Sequence, residues 1–233
     1  AEEALKTKGQ SIEGKKVAVS GFGNVAWGAV TKATQLGAKV VTISGPDGYI
    51  YDADGISGEK IAYMEEMLRI DRMSVAPYAQ KFKTAQFHAG KRPWEQKVDV
   101  ALPCAIQNEL NLDEAKTLLA NGCLAVVEGA NMPSTLDAVE FFQANTDKII
   151  FSPGKASNAG GVATSGLEMS QNSMRLGWTA EEVDARLHQI MINIHKSCVD
   201  AAARFGTPGN YVNGANIAGF LKVADSMIDQ GLV

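Results

Sequence analysis

The stretch that decides the fold runs from Lys16 to Ala26 and has the sequence KVAVSGFGNVA. Its apolar first half is typical of a buried strand, and a helical pattern from Trp27 to Leu36 follows at once. Gly21 would allow a tight turn, Gly23 would let the backbone approach a pyrophosphate, and Ala26 would let the helix pack closely on the strand. The helix N-terminus then offers free N–H groups to phosphates. We therefore predict nucleotide binding here, although such glycines also occur in ordinary strand-to-helix turns.

Composition narrows the classes of partner. The 233 residues are 45% hydrophobic and 21% charged, which is typical of a globular protein with a substantial core. A formal charge of −4 gives no electrostatic footprint for DNA or RNA. No apolar run reaches the roughly 18 residues of a membrane span, and the charged N-terminus does not resemble a signal peptide. We expect neither nucleic acid nor a membrane as a partner.

Cysteines and histidines carry little chemistry in this chain. Three cysteines are odd in number and far apart: Cys104, Cys123 and Cys198. They form neither a disulfide framework nor a zinc pattern, so we expect reduced thiols in a cytoplasm. His188 and His195 are not at the four-residue spacing of helical metal-binding pairs, and His88 is expected in a loop. The sequence predicts no metal site.

Strands alternate with helices over about 150 residues, which indicates a mostly parallel sheet covered on both faces. Ligands of such sheets bind at the carboxyl ends of the strands. Three loops follow predicted strands, at residues 21–26, 103–106 and 129–133. We therefore expect this class of fold to bring the three loops to one crevice.

Helix starts are indicated by capping residues. Asn111–Glu114 and Thr179–Glu182 fit capping boxes, and Ser134 is placed to cap a helix that ends near Phe142. The last amphipathic pattern predicts a helix over Asn216–Gln230.

The stretch Ser152–Ser173, SPGKASNAGGVATSGLEMSQNS, is rich in glycine, serine and asparagine. A flexible linker is one interpretation of this composition. Val162, Leu167 and Met169 instead begin an apolar helical pattern, which favours a helix. Its small residues would let a backbone or a ligand approach closely.

Five motifs carry a family resemblance: GFGNVA, SGPDGYIYD, PCAIQNEL, EGANMPST and PGKASNAGGVATSGLEMSQN. Together they resemble the C-terminal, cofactor-binding domain of hexameric bacterial-type glutamate dehydrogenases over residues 10–233. Leucine and phenylalanine dehydrogenases share the NAGGV core, but GANMPST and TSGLEMSQN are more similar to the glutamate enzymes. The resemblance implies an α/β fold: a Rossmann-like doubly wound sheet, mostly parallel with one reversed strand, plus C-terminal helices.

The resemblance also implies a division of the chain. Residues 1–15 would be a helix end and linker from an N-terminal domain, 16–206 the dinucleotide-binding domain, and 207–233 a C-terminal helix packed on that N-terminal domain. The family's catalytic lysine and aspartate belong to the N-terminal domain, so no catalytic residue is expected here. We expect this chain alone to bind dinucleotide without turning over glutamate. The intact enzyme would be a homohexamer, and this domain alone a monomer or dimer.

Site residues follow from the same resemblance. The pyrophosphate would be held by five residues: Gly21, Phe22, Gly23, Asn24 and Val25. Ala105 would border the ribose and nicotinamide. Asn131 and Asn158 would hold the carboxamide and its ribose, because an amide offers both a donor and an acceptor. Val162 would contact the aliphatic stem of glutamate, and the Ser165 hydroxyl its side-chain carboxylate.

Cofactor preference depends on the loop after the second strand. A 2′-hydroxyl is usually held by a carboxylate about 20 residues past the glycines, whereas a 2′-phosphate prefers a cation. Asp47 is at about this spacing and would repel a phosphate, and Pro46 has no N–H to donate. We predict NAD as the cofactor; NADP stays possible, since Lys39, Arg69 or Arg72 could reverse the balance.

A second function remains open on sequence alone. The chain could be a stand-alone dinucleotide-binding or sensing module with no catalytic role. Val162 and Ser165 favour the enzyme, because they lie in a motif that resembles a substrate pocket, which a sensor would not require.

Overall fold

The glycine turn lies at the end of the central strand of a sheet in the computed structural model, which describes residues 1–231. Within that range, seven strands form one sheet in the order β4-β3-β2-β1-β5-β6-β7. The strands are β1 (Lys16–Val19), β2 (Lys39–Gly45), β3 (Gly48–Asp52), β4 (Ala85–Ala89), β5 (Val100–Leu102), β6 (Ala125–Val127) and β7 (Ile150–Ser152). The whole sheet belongs to the first of two units, Ala1–Gly154; the second is Lys155–Val233.

The sheet has one reversed strand, as expected. β1 pairs in parallel with β2 and β5, and the pairs β5–β6 and β6–β7 are also parallel. β3 is antiparallel to both of its neighbours. The cause is the two-residue turn Pro46–Asp47, which is too short for a parallel crossover. Gly48 follows the turn with φ +148, and a methyl group there would lie 2.3 Å from the carbonyl oxygen of His88.

Helices of the first unit cover the sheet. They are α1 (Glu2–Lys6), α2 (Asn24–Gln35), α3 (Glu59–Ile70), α4 (Ala76–Lys81), a 3₁₀ turn (Pro93–Glu95), α5 (Leu112–Ala120) and α6 (Leu136–Gln143). The residues of β5, β6 and β7 are all buried, as expected for strands covered on both faces. Lys16 donates its backbone N–H to the Asp99 carboxylate, 83 residues away, at 2.7 Å.

Helix starts were predicted with mixed success. The Asn111 capping box is confirmed, with both of its hydrogen bonds present. The Ser134 cap is wrong: Thr135 is the N-cap of α6, and the Ser134 hydroxyl is buried with no hydrogen-bond partner among the described residues. The reason is a parallel bridge between Leu110 and Ser134, which keeps this segment extended. α2 starts at Asn24, before the predicted Trp27, because the glycine turn leads directly into it.

The loop expected around His88 is wrong, because these residues form β4. β4 pairs with β3 along its whole length, and the His88 ring stacks on Tyr49 with centroids 4.4 Å apart. β4 is an edge strand without a buried residue, so it lacks the apolar run that marks the central strands.

A buried ion pair lies at the end of β3. Asp52 is fully buried and accepts hydrogen bonds from Lys60 Nζ at 2.7 Å, Tyr78 Oη at 3.0 Å and Thr84 Oγ1 at 3.1 Å. Lys60 and Tyr78 link β3 to the two helices that follow it, and Thr84 links it to the segment before β4. Losing Lys60 would leave the buried carboxylate without its counter-charge.

The second unit is helical. Its elements are α7 (Gly154–Ser157), which starts at the unit boundary, α8 (Gly160–Met174), α9 (Ala180–Arg204) and α10 (Tyr211–Gln230). The glycine- and serine-rich stretch therefore forms helix, and the flexible-linker interpretation is wrong. The Thr179 capping box is confirmed at the start of α9. α10 begins five residues before the predicted Asn216, because the Asn210 side chain caps it by accepting the Asn213 N–H.

Helices α9 and α10 are packed backbone to backbone. A methyl group on Gly214 would lie 2.1 Å from the carbonyl oxygen of Cys198 and 3.3 Å from Ala202 Cβ. His195 Nε2 and Tyr211 Oη, 3.0 Å apart, form a hydrogen bond beside this contact. Only glycine at position 214 permits so close an approach.

Three further observations concern the part of the chain that the structure describes. No helix in residues 1–231 is both long and apolar enough to cross a membrane. Over the same residues, no three side chains of His, Cys, Asp or Glu are grouped so that they could hold a metal ion. All three cysteines are buried free thiols.

Candidate dinucleotide site

The glycine turn is built so that one face is blocked and the other open. Gly21 has φ +81, and a methyl group there would lie 3.0 Å from the Cys104 carbonyl oxygen and 3.1 Å from Ala105 Cα. Gly23 is the N-cap of α2 with extended backbone, and a methyl group there would meet no atom within 4 Å. Contacts within the protein therefore require glycine at position 21, whereas glycine at position 23 leaves the surface at the start of α2 open.

Hydrogen bonds to β2 hold this turn in place. The Gly21 N–H donates to Ser44 Oγ at 2.8 Å, and the Ser44 N–H donates to the Gly21 carbonyl at 3.1 Å. Phe22 is buried, and its ring lies 3.3 Å from where a methyl group on Gly45 would stand. Phe22 thus anchors the turn in the core, while Asn24 and Val25 are exposed at the start of α2.

The three predicted loops do meet at one place. The N–H groups of Gly129 and Ala130 both donate to the Pro103 carbonyl, at 2.8 and 2.9 Å. A methyl group on Gly129 would lie 2.5 Å from Cys104 Sγ and 3.4 Å from Val25 Cγ1. Loops 21–26, 103–106 and 129–133 therefore meet at the carboxyl edge of the sheet, where the crevice was expected, and the expectation of their convergence is confirmed.

The two later loops are joined by strained backbone. The Asn108 N–H donates to the Met132 carbonyl at 3.0 Å, and the Leu110 N–H donates to the Pro133 carbonyl at 2.9 Å. Asn108 and Met132 both have left-handed backbone, with φ +57 and +51. Such conformations persist only where the surroundings enforce them, and they cluster at ligand sites. Asn131, exposed next to Met132, thus projects from a fixed segment.

Two buried carboxylates, which the sequence analysis missed, support the crevice. Glu109 Oε1 accepts the Ser20 hydroxyl at 2.7 Å and the Ala105 N–H at 2.9 Å. Glu128 accepts the N–H groups of Ser134 at 3.3 Å and Gly154 at 2.6 Å. Burial raises the pKa of Glu109 to about 7, although its hydrogen bonds with Ser20, Ala105 and Ile106 favour the ionised form. In the sequence, the signal for each of these two carboxylates is one acidic residue within a motif at the end of a predicted strand, PCAIQNEL for Glu109 and EGANMPST for Glu128.

Asp47, proposed for the 2′-hydroxyl, has partners of its own. Its carboxylate accepts the Ser74 hydroxyl at 2.6 Å and the N–H groups of Val75 at 3.0 Å and Ala76 at 3.3 Å. It therefore stabilises the start of α4 and is held in a fixed position beside Gly45 and the Phe22 ring. Pro46 is exposed in the turn before it.

Two of the cations considered for cofactor preference, Lys39 and Arg69, lie on other elements than the Pro46–Asp47 turn. Lys39 is the first residue of β2, at the end of the strand opposite the Pro46–Asp47 turn. Arg69 pairs with Glu65 at 2.6 Å on α3.

Three predicted site residues lie in the second unit. Asn158 precedes α8 and is half-buried. Val162 and Ser165 are exposed and three residues apart, so they share one face of α8. Ser165 Oγ donates to the Gly161 carbonyl at 3.4 Å. None of the residues of α8, all of which are described, is buried.

The first unit fits the pyrophosphate of a dinucleotide. The first N–H groups of a helix have no partner within the helix, and within residues 1–231 no side chain caps α2. The open side of Gly23 leaves room for an anion to approach these groups. The turn also lies at the switch point of the sheet, where β2 and β5 flank β1 on opposite sides.

A mostly parallel sheet with one reversed strand, in which a glycine turn leads into a helix at the switch point, defines a Rossmann-like α/β fold. Comparison with known families agrees with this class: the model for Glutamate/Leucine/Phenylalanine/Valine dehydrogenase matches residues 1–231. The chain belongs to this family.

Within this family, the curated relatives that are most similar in the comparisons below are named glutamate dehydrogenases. The chain is 60% identical over 235 residues to the NAD-specific glutamate dehydrogenase of Bacteroides fragilis, covering 99% of this chain and 52% of that protein. It is 53% identical over 232 residues to the NADP-specific enzyme of Escherichia coli, covering 100% of this chain and 51% of the relative.

Solved structures of glutamate dehydrogenases are also similar to this chain. One glutamate dehydrogenase has a TM-score of 0.96 at 52% identity, covering 100% of this chain and 51% of that one. The enzyme of Plasmodium falciparum has a TM-score of 0.94 at 44% identity, covering 99% and 49%. The chain spans about half the length of the relatives it matches.

Proposed function

We propose that this chain is the dinucleotide-binding part of a glutamate dehydrogenase, which converts L-glutamate, NAD(P)⁺ and water into 2-oxoglutarate, ammonia and NAD(P)H. The observation that carries the proposal is the meeting of three strand-end loops around the uncapped N-terminus of α2. A relative with 60% identity bears the name of this enzyme, which supports the choice of reaction.

In this proposal, backbone N–H groups at Asn24 and Val25 hold the pyrophosphate. The turn residues Gly21 and Phe22 fix their position, and Gly23 leaves the approach open. Ala105 and Asn131, on adjoining loops, border the ribose and nicotinamide. A nicotinamide bound there would supply hydride-accepting chemistry, and Ala105 and Asn131 would determine which face of its ring is presented to the substrate.

The second unit supplies the remaining proposed contacts: Asn158 to the cofactor, Val162 to the aliphatic stem of the substrate, and Ser165 to its carboxylate. All three side chains have at least partial solvent access, which a binding role requires.

The domain assignments remain proposals. Residues 16–206 would bind dinucleotide, residues 1–15 would lead in from an N-terminal domain, and residues 207–233 would pack on that domain. Phe220, Val223 and Met227 are 69%, 60% and 66% exposed on α10, which supports the idea of an apolar partner surface. Leu232 and Val233 lie outside the described residues.

Catalysis would need the lysine and aspartate of the N-terminal domain. We propose that these 233 residues alone bind dinucleotide without turnover and are monomeric or dimeric, whereas the intact enzyme is a cytoplasmic homohexamer.

For the cofactor we propose NAD, with NADP as the second possibility. Relatives of similar identity are named differently: NAD-specific in Bacteroides fragilis at 60%, NAD(P)-specific in Xylanibacter ruminicola at 55%, and NADP-specific in Escherichia coli at 53%. Identity alone therefore cannot decide. The fixed carboxylate of Asp47 beside the end of β2 supports NAD, because it would repel a 2′-phosphate.

The stand-alone sensing module is not favoured, since the relatives named above are all glutamate dehydrogenases. Calorimetry with NADH, NADPH and ADP, with and without glutamate, tests the proposal, followed by addition of the N-terminal domain in trans to look for turnover. A wild-type chain that binds none of the three nucleotides would refute the proposed function.

A variant sharpens this test. Gly23→Asp places a carboxylate at the N-cap of α2, where it has room and favourable backbone. Asp is a better cap than Gly by a few tenths of a kcal/mol, so thermal stability should not fall. NADH affinity should fall at least about tenfold, because the new charge opposes the phosphates. Gly28→Asp, inside the same helix and also with room for a side chain, is the matched control.

A further inference from the structure

A short chain of hydrogen bonds links the end of β1 to the loop after β5. The Cys104 N–H donates to Ser20 Oγ at 2.9 Å, and the Ser20 hydroxyl donates to Glu109 Oε1 at 2.7 Å. The same Oε1 accepts the Ala105 N–H at 2.9 Å. One carboxylate oxygen therefore fixes two consecutive backbone N–H groups, one directly and one through Ser20.

These backbone groups touch the glycine turn. Gly21 follows Ser20 directly, and its Cα side is closed by the Cys104 carbonyl and Ala105 Cα, 3.0 and 3.1 Å from the position of a methyl group. Cys104 and Ala105 therefore lie against Gly21 on the side where any other residue would carry its side chain. Glu109 is only 5% exposed, so water has little access to its carboxylate.

We propose that Glu109 is a positioning residue for the dinucleotide: its ionised carboxylate holds the 103–106 loop against the glycine turn in the shape that accepts the ligand. The inference rests on the proposed function, because it needs the crevice to bind dinucleotide. Glu109 itself touches no ligand in this scheme and acts through Ser20 and Ala105.

Two other ionisable groups face this carboxyl. Arg92, which is paired with Glu114 at 2.7 Å, favours the ionised form from the segment before the 3₁₀ turn. The Cys104 thiol lies on the loop itself, and burial raises its pKa to about 12. Burial raises the pKa of Glu109 to about 7. Between about pH 6 and about pH 8, the carboxyl therefore changes charge while the thiol and the guanidinium do not.

NADH fluorescence titrations of the 233-residue chain test the proposal. If the bound form requires the ionised carboxylate, the dissociation constant should be about tenfold higher at about pH 6 than at about pH 8. Glu109→Gln is neutral at every pH and should bind weakly with no pH dependence. Glu140→Gln, which removes an exposed carboxylate on α6, is the matched control and should keep the wild-type profile.

A second variant guards against misfolding of Glu109→Gln. Ser20→Ala removes a hydrogen bond that favours the ionised form, so the midpoint of the pH profile should move to higher pH. An unchanged midpoint in Ser20→Ala, or a wild-type pH profile in folded Glu109→Gln, overturns the positioning role alone. A wild-type chain that binds no NADH at any pH overturns the proposed function, and the positioning role with it.

Discussion

The pH dependence of stability in Glu109→Gln gives a quantitative test of the buried carboxyl. Burial holds the pKa of Glu109 at about 7 in the folded chain, above the ordinary value of 4.5. The folded state therefore binds this proton more tightly than the unfolded chain does. The resulting stabilisation is fully present below about pH 4.5 and is lost as the pH rises through about 7.

The size of the effect follows from the two values. The interval from 4.5 to about 7, at about 1.4 kcal/mol for each pH unit, corresponds to about 3 kcal/mol lost by the wild type. The Glu109→Gln variant loses none of this free energy, because glutamine does not ionise. Its amide NH₂ replaces an oxygen of a carboxylate that is surrounded by donors, and a buried donor left unpaired costs about 1–3 kcal/mol at every pH. The variant should therefore be less stable than the wild type at low pH and comparable or more stable above pH 8.

Urea denaturation at about pH 5 and about pH 8 measures this change. Trp94, 1% exposed in the same unit as Glu109, gives a fluorescence signal for the unfolding of that unit. The difference in unfolding free energy between variant and wild type should move by about 2–3 kcal/mol in favour of the variant between these two pH values. The Glu140→Gln control should show no such movement. An equal difference at both pH values would refute the account, since it would mean that Glu109 ionises like an exposed acid.

Further predictions concern packing and charge in both units. Gly129→Ala should lower the stability of the chain by about 1–3 kcal/mol and should also lower its affinity for NADH. The reason is that the new methyl group would lie 2.5 Å from the Cys104 thiol. Chemical denaturation measures the first effect and fluorescence titration with NADH the second. Gly214→Ala should destabilise the pairing of α9 and α10 by more than about 2 kcal/mol. Gly219 also lies on α10 but in open space, so Gly219→Ala should stabilise that helix by about 0.5–1 kcal/mol. The thermal midpoints of the two variants should therefore move in opposite directions. Asp52→Asn should cost about 3–5 kcal/mol in urea denaturation, because Lys60 would lose its buried partner, and a loss below about 1 kcal/mol would contradict the buried ion pair.

Local patterns predicted much of the fold. The apolar run before Gly21 and the Asn111 and Thr179 boxes are local signals, and the structure has the predicted elements there. The reversed strand was implied by the family resemblance and not by spacing. β4 was missed because an edge strand needs no apolar run, and the Ser134 cap failed because pairing with Leu110 overrides the local preference.

The candidate site was predicted unevenly for a related reason. Glycines and strand ends are visible in a sequence, so the meeting of the three loops could be anticipated. Burial of Glu109 and Glu128 depends on residues that are distant in sequence, such as Ser20 and Gly154, and no periodicity marks it. Asp47 was recognised as an acid at the right spacing, but its bonds to residues 74–76 required the structure.

The pairing of β1 with β5 has a consequence for synthesis on the ribosome. Lys16 and Asp99, which are bonded at this pairing, are 83 residues apart. At about 5–20 residues per second, one edge of β1 stays without its partner strand for about 4–17 s after it is made. An apolar strand edge exposed for seconds is a template for wrong pairing with another chain. The strand that leads into the glycine turn therefore stays open to such wrong pairing until β5 has been made.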